Sequence, residues 1–94
     1  MVMEDRSNTD LLQLGKQGNQ HAAQVLVDRY MTRLTALASS RLSQKLSRRI
    51  DAEDVVLSAW RSFFVAANRS RLHVPDNDNL WPLLVTLTIR KLQR

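Results

Sequence analysis

Apolar side chains recur at intervals of three and four residues from Ala23 to Leu42, and this spacing constrains the fold more than any other feature. Residues at those intervals fall on one side of an α-helix, where they can be buried together. We therefore predict a long helix over about residues 20 to 44. Its apolar stripe consists of Ala23, Leu26, Tyr30, Leu34, Leu37, Ala38 and Leu42.

A second apolar stripe begins among three acidic residues, Asp51, Glu53 and Asp54. Asp51 is a good N-cap, and carboxylates in a first turn interact favourably with the helix dipole. The pattern predicts a helix over about residues 51 to 67, with Trp60, Phe63 and Phe64 in the core. The stripe consists of Ala52, Val55, Val56, Ala59, Trp60, Phe63 and Ala67.

The chain before residue 20 is expected to form one short helix, over about residues 9 to 17. Asn8, Thr9 and Asp10 are each suitable N-caps for it. Glycines at positions 15 and 18 are weak stop signals.

The chain after residue 67 is expected to form a loop and a final helix. Residues 68 to 79 contain Pro, Asn and Asp, which favour turns. Asp78 or Asn79 can cap the final helix. Pro82 is tolerated in the first turn of that helix because first-turn amides have no intrahelical acceptor.

These elements predict an all-α fold, a small bundle of three long helices plus a short N-terminal helix. Two Gly, two Pro and 44% hydrophobic residues suit such a bundle. A chain of 94 residues buries roughly 60–65% of its unfolded surface, so its core must be thin. We expect one domain over residues 1–94. Because the chain reaches Arg94 still in helical phase, we expect it to be the N-terminal fragment of a longer protein.

Charge alternates along the chain, although the net formal charge is only +5. Residues 29 to 50 carry six basic residues and no acid, whereas residues 51 to 60 carry three acids and no base. Residues 61 to 75 add three arginines. This alternation suggests two partners of different charge more than one uniformly basic surface.

Motifs for catalysis, metal binding and membrane insertion are missing from the sequence. His21 and His73 lack a second ligand at metal-binding spacing, and the chain has no Cys. No phosphate-binding glycine loop or nucleophile elbow occurs, and capping accounts for the acids near residue 51. No apolar run approaches the roughly 20 residues that span a bilayer, and the N-terminus is unlike a signal peptide. We expect a cytoplasmic, non-enzymatic protein without cofactor, metal or membrane partner.

The segment DAEDVVLSAWRSFF, residues 51 to 64, resembles the second region of bacterial RNA polymerase sigma factors, in particular the extracytoplasmic-function (ECF) group. In that family a turn rich in Asp and Glu opens a helix with aliphatic and then aromatic residues. DLLQLGKQGNQHAAQVLVDRY is similar to the family's opening, and LWPLLVTLTIRKLQR is similar to its closing helix. The order and spacing of these motifs extend the resemblance over about residues 10 to 94.

The resemblance implies a helical domain that docks on core RNA polymerase, at the clamp helices of its largest subunit. It also implies that the domain recognises and helps melt the promoter element about ten base pairs upstream of the start site. Residues 68 to 79 would hold an extruded base of the non-template strand. The expected polymerase-binding residues are Glu53, Asp54 and Arg61, with Leu57 on the same flank. The expected DNA-binding residues are Arg69, Arg71, His73, Asn77, Trp81, Thr88, Arg90, Lys91 and Arg94.

Some assignments stay open at this point. Trp81 can pack in the core and still border a ligand. The basic residues Arg41, Lys45, Arg48 and Arg49 suit either a solvated helix end or a contact with phosphate or polymerase.

The chain departs from the family pattern in three ways. Leu57 and Ser58 stand where the family usually has Gln and then Glu, so an expected polar contact with polymerase is missing. Lys91 stands near a common Asn, and this leaves base selectivity undetermined. The family's second DNA-binding domain, a helix-turn-helix, does not occur within these 94 residues, so we expect the fragment alone to bind duplex DNA weakly.

Two other functions compete with promoter recognition. A sigma-like regulator would bind polymerase or an anti-sigma protein without opening DNA. A helical adaptor would bind a protein through Ile50, Leu57 and Phe64, with no dependence on DNA.

Overall fold

The structure is a computed structural model that describes residues 2 to 42 and 48 to 93. A single 3-10 turn, Met3–Asp5, precedes the first helix, and the described ranges contain no β-strand. The all-α prediction is confirmed. The four helices are α1 (Asn8–Lys16), α2 (Gln20–Arg41), α3 (Arg48–Asn68) and α4 (Trp81–Leu92).

The α1–α2 connection is a tight turn built by Gly18 and Asn19. Gly18 adopts a φ of 96°, which glycine tolerates best. Backbone bonds from Gly18 N to Gly15 O and from Asn19 N to Leu14 O, both 3.0 Å, form a Schellman motif. Asn19 Oδ1 then accepts a hydrogen bond from Ala22 N at 3.0 Å, so the same turn caps α2. The predicted start of α2 at residue 20 is confirmed.

The N-cap of α1 is Ser7, so the prediction of Asn8, Thr9 or Asp10 is wrong. Ser7 Oγ accepts a hydrogen bond from Asp10 N at 3.0 Å. Asn8 is therefore the first residue of the helix, and its side chain is directed inward, where it is 5% exposed. Sequence spacing alone cannot choose among four consecutive residues that are all capable of capping.

The start of α3 also differs from the prediction. The helix already includes Arg48, so Asp51 is not its N-cap. Asp51 lies in the first turn instead, where its negative charge still interacts favourably with the helix dipole. The predicted extension of α2 to residue 44 and the role of Lys45 lie outside the described residues.

A second Schellman motif ends α3 and starts the α3–α4 loop. Ser70 N donates to Ala67 O at 3.1 Å, and Arg71 N donates to Ala66 O at 2.9 Å. Ser70 occupies the left-handed position of this motif with a φ of 56°. The motif turns the chain sharply, so the residues after it run back beside the last turns of α3.

Asn79 contributes to the start of α4, whereas Asp78 does not. Asn79 Oδ1 accepts a hydrogen bond from Trp81 N at 3.1 Å, and Leu80, which precedes the helix, has no capping side chain. The carboxylate of Asp78 contacts α1 instead. The prediction that Asp78 caps α4 is therefore wrong. Asn79 satisfies the amide of Trp81 from the position before the N-cap, Leu80.

The core lies between α2 and the other three helices, and each of those three helices contacts α2. The stripes predicted for α2 and α3 supply much of it, although Ala23, Leu37 and Leu42 are only half-buried. The largest fully buried side chains are Leu11, Leu26, Leu34, Val56, Phe63, Leu80, Leu84 and Thr88.

All five aromatic residues of the chain join one cluster that links α2, α3 and α4. The ring centroid of Trp60 lies 5.1 Å from that of Phe63, 5.7 Å from that of Phe64 and 6.3 Å from that of Tyr30. Tyr30 and Trp81 are stacked with centroids 6.4 Å apart. Such separations are favourable for aromatic pairs. Trp60 and Phe63 are buried as predicted, and Phe64 is half-buried.

Candidate functional site

One face of α3 is exposed along most of the helix. Its exposed residues recur at helical spacing, and we call Asp54, Leu57, Arg61 and Val65 the α3 stripe. Leu57 is 50% exposed and Val65 44%, and they are two of the three large hydrophobic residues with exposed side chains in the described ranges. Apolar side chains held open beside charges are typical of protein-binding surfaces.

Three of the four residues predicted to bind polymerase belong to the α3 stripe. Glu53 is the exception, because it is half-buried and lines a cavity between α2 and α3. Met31, Thr35 and Ser39 of α2 line the same cavity. Val65 is an addition that sequence reasoning missed, although it follows Arg61 by four residues and therefore shares its face.

A groove of about 330 Å³ joins the α3 stripe to the loop. Arg61, Arg69 and Arg71 line it together with Val65 and Ala66, and no carboxylate does. The Schellman turn at Ser70 brings Arg71 back beside α3. Arg61 was predicted to bind polymerase and the other two arginines to bind DNA. The structure brings both sets into one continuous basic surface.

The α3–α4 loop, residues 69 to 80, contacts α1. Leu72 and Val74 are half-buried against the core, and the loop shares a groove of about 420 Å³ with Thr9, Leu12 and other residues of α1. Among the polar residues of the loop, His73 and Asn77 are both exposed. The loop therefore presents donors on one side while its other side is held.

Asp78 connects this loop to the start of α1. Its Oδ2 accepts from Asn8 N at 2.8 Å, and its Oδ1 accepts from Thr9 N and from Thr9 Oγ1, both at 2.8 Å. Its backbone carbonyl accepts from Asn8 Nδ2 at 2.7 Å. Asp78 itself adopts a φ of 60°, a left-handed conformation that Asp tolerates better than most residues.

The buried side chain of Asn8 links that contact to α2. Asn8 Nδ2 donates to Tyr30 Oη at 2.8 Å, and Arg29 Nη1 donates to Asn8 Oδ1 at 2.9 Å. Arg29 also donates to the backbone carbonyls of Glu4 and Arg6. The N-terminal segment, α2 and the loop before α4 are thus joined by one hydrogen-bond network.

Two effects compete to set the pKa of Asp78. Burial by itself raises it, but hydrogen bonds from Asn8 and Thr9 and the positive charge of Arg29 outweigh that effect. The pKa of Asp78 is therefore below the ordinary aspartate value of 3.8. These donors therefore favour the ionised form of the carboxylate.

Trp81 lies at the junction of the loop and α4 and is half-buried. The guanidinium of Arg33 on α2 lies 4.4 Å from the centroid of Trp81 and 5.3 Å from that of Tyr30, distances that suit cation–π attraction. Sequence reasoning missed Arg33, because its partner comes from a distant helix.

On α4 the structure corrects one predicted DNA contact. Thr88 is fully buried, so its side chain is not on the surface. Arg90 is exposed, and Lys91 is half-buried. The exposed residue with a hydroxyl is Thr86, which precedes Arg90 by four residues and shares its face. Helical phase could have identified it from the sequence. Arg94 lies outside the described residues.

Neither a metal centre nor a membrane span is found in the part of the chain that the structure describes. Those residues contain no group of three or more His, Asp or Glu side chains that could hold a metal ion. None of the helices in the same ranges has both the length and the apolar character to cross a bilayer.

The family comparison covers nearly the whole chain. The family model described as "ECF sigma factor" matches residues 5–94. The comparisons with curated proteins and with solved structures gave no match. Sigma factors of this family are non-enzymatic transcription initiation factors that bind core RNA polymerase and promoter DNA. The match over residues 5–94, together with the all-helical fold, shows that this chain belongs to the ECF sigma factor family.

Proposed function

We propose that this domain binds the clamp helices of the polymerase's largest subunit through the α3 stripe and captures the non-template strand of the proximal promoter element through the α3–α4 loop. The domain supplies binding energy for strand opening, and the polymerase supplies all chemistry. The observation that carries this proposal is the groove of Arg61, Arg69 and Arg71, which joins the exposed face of α3 to the loop.

The α3 stripe suits a protein partner better than a nucleic acid. Leu57 and Val65 present apolar side chains to solvent, with Asp54 and Arg61 in the same row. Burying them against another helix pair removes apolar surface from water, and the flanking charges fix the register. Leu57 replaces a polar residue usual in the family, so we expect an apolar contact at that position.

The loop suits an unpaired strand. Arg69 and Arg71 can neutralise phosphates, and the exposed His73 and Asn77 can donate to base edges. Strand opening costs stacking energy, and trapping an extruded base offsets part of that cost. Trp81 is the nearest aromatic residue in sequence, and Arg33 already covers its ring. We therefore expect capture of one or two bases rather than an extended stacking platform.

Reversing one charge on the α3 stripe tests the polymerase contact. Asp54→Arg should weaken binding of the domain to core polymerase by about tenfold or more, because it places a like charge in a complementary interface. Binding of a single-stranded promoter oligonucleotide should be retained. Asp28→Arg, on the exposed side of α2, makes the same change in net charge and should leave polymerase binding within about twofold.

Removing one loop arginine tests the strand contact. Arg71→Ala should weaken binding of the oligonucleotide and lower the slope of log affinity against log salt by about 0.7, as expected for one lost phosphate contact. Polymerase affinity should be retained. Arg6→Ala removes the same charge at a residue outside both predicted sets of contacts and is the control. Equal losses of polymerase and strand binding in Asp54→Arg and Arg71→Ala would refute the assignment of the two surfaces.

A second candidate is a sigma-like regulator that binds polymerase or an anti-sigma protein without opening DNA. The half-exposed Leu57 favours it, because an apolar residue can replace the usual polar polymerase contact only if the interface differs. Permanganate reactivity of promoter thymines separates the two functions. Reactive thymines in the presence of polymerase support strand opening, and protected thymines support the regulator.

A further inference from the structure

The loop between α3 and α4 is fastened at both ends. At its start, the Schellman turn holds Arg71 N on Ala66 O. Near its end, Asp78 accepts three hydrogen bonds with its carboxylate and one with its carbonyl oxygen. The exposed donors His73 and Asn77 lie between these two points. Asp78 is therefore a fixed point of the loop.

The contact made by Asp78 acts on the loop as well as on α1. Ser7 satisfies the amide of Asp10, but a helix has further first-turn amides that lack an intrahelical acceptor. Asp78 adds the amides of Asn8 and Thr9 from a position 70 and 69 residues away in sequence. The same contact fixes the position of Asp78 in the loop, where the backbone is in a left-handed conformation.

One partner of Asp78, Asn8, is itself held by buried contacts. Asn8 is 5% exposed and bound by Tyr30 and Arg29 of α2. Tyr30 stacks on Trp81, the residue that opens α4. These contacts connect the end of the loop to the bundle core. Binding a ligand with a loop already held in place avoids the entropy cost of ordering it.

We infer that Asp78 is a positioning residue for promoter-strand capture: by binding the N-terminus of α1, it holds the α3–α4 loop in the conformation that presents His73 and Asn77 to the unpaired strand. This inference rests on the proposed function. If the inference is right, α1 affects strand affinity through Thr9, although neither belongs to the predicted DNA contacts. That effect passes through the hydrogen bonds to Asp78.

The test compares Asp78→Asn with Asp76→Asn in the complete protein assembled with core polymerase. Asn tolerates the same backbone conformation but replaces one accepting oxygen with a donor. Asp76 is exposed in the same loop, and its carboxylate accepts no hydrogen bond from the residues that the structure describes. Both variants remove one negative charge, so their difference isolates the hydrogen bonds from Asn8 and Thr9 to the Asp78 carboxylate.

The probe is a labelled non-template oligonucleotide that carries the promoter element mapped from DNA bound by the assembled enzyme. Asp78→Asn should bind it about five- to tenfold more weakly, the effect of losing one hydrogen bond of ordinary strength. Asp76→Asn should stay within about twofold, and both variants should keep their polymerase affinity within about twofold. Equal strand affinities of the two variants would overturn the inference.

Thr9→Val supplies a second, milder variant that decides the matter if Asp78→Asn does not fold. It removes only the bond from Thr9 Oγ1 to Asp78 Oδ1 and should weaken strand binding by about twofold to fourfold. In the double variant with Asp78→Asn, the fold-loss of strand affinity should be smaller than the product of the two single losses, because both substitutions act on one contact. A double-variant loss equal to that product, or an unchanged strand affinity in Thr9→Val, would overturn the inference.

Arg71→Ala in the same assay distinguishes the two possible failures. If Arg71→Ala weakens strand binding while Asp78→Asn matches Asp76→Asn, only the positioning role is wrong. If Arg71→Ala and Asp78→Asn both bind the strand like the unaltered protein, the proposed function itself is wrong.

Discussion

Thr88 carries a hydroxyl group that is buried in the bundle without a hydrogen-bond partner among the described residues. An unsatisfied buried hydroxyl costs about 1–3 kcal/mol, because the group gives up its bonds to water and receives none in return. Leu84, one helical turn earlier, is fully buried as well. The position of Thr88 therefore suits an apolar side chain of the same shape.

Thr88→Val should raise the free energy of unfolding by about 1 kcal/mol, because valine has the same shape and no polar atom to desolvate. In a domain of this size, that gain raises the melting temperature by about 4–8 °C. Thermal unfolding followed by circular dichroism checks the change. Thr86→Val, on the exposed face of the same helix, should change the free energy of unfolding by less than about 0.5 kcal/mol. A destabilised Thr88→Val would show that the hydroxyl has a partner.

At the scale of elements, α1 and α3 end in the same motif with different residues at its left-handed position. Gly18 follows α1 with a φ of 96°, and Ser70 follows α3 with a φ of 56°. Glycine adopts this conformation without the steric cost that a Cβ brings. The helix with serine therefore carries strain that the helix with glycine avoids.

Substitutions at these two positions should have opposite signs. Ser70→Gly should stabilise the protein and Gly18→Ala should destabilise it, each by about 1 kcal/mol. A Cβ at Gly18 would meet no atom within 4 Å, so the loss there is conformational rather than a clash. Urea unfolding of both variants measures the two effects. The same sign for both would contradict the strain argument.

The sequence predicted the approximate positions of the helices and which of their faces are buried. The three-and-four spacing identified Leu26, Tyr30 and Leu34 as core residues, because that spacing is a property of the helix itself. The end points were less accurate, as Ser7 and Arg48 show. Several neighbouring residues can cap a helix equally well, and tertiary contacts choose among them.

At the scale of the whole molecule, the contact between Asp78 and α1 makes the stability of the fold depend on pH in the acid range. The pKa of Asp78 is lowered in the folded protein by its bonds to Asn8 and Thr9 and by the charge of Arg29, which outweigh burial. A carboxylate with a lowered folded-state pKa contributes stability above its unfolded pKa. That contribution is lost as pH falls through the folded value.

Asp78→Asn should therefore be less stable than the unaltered protein at pH 6, and the difference should shrink as pH falls below the ordinary aspartate value of 3.8. Melting temperatures of both proteins, measured from pH 6 to pH 2, check this convergence. Asp76→Asn is the control, and its difference from the unaltered protein should stay small throughout. A gap between Asp78→Asn and the unaltered protein that widens on acidification would contradict the assigned direction of the pKa.

The sequence by itself determined the helices, the apolar faces of α2 and α3, and the exposed row of Asp54, Leu57 and Arg61, because each follows from the period of a single helix. Tertiary structure decided which of the other candidate residues meet. It brought Arg61 beside Arg71, buried Thr88, placed Arg33 over Trp81 and directed Asp78 to α1 rather than α4. Those contacts join residues that are distant in sequence, and their partners are selected only when the helices pack.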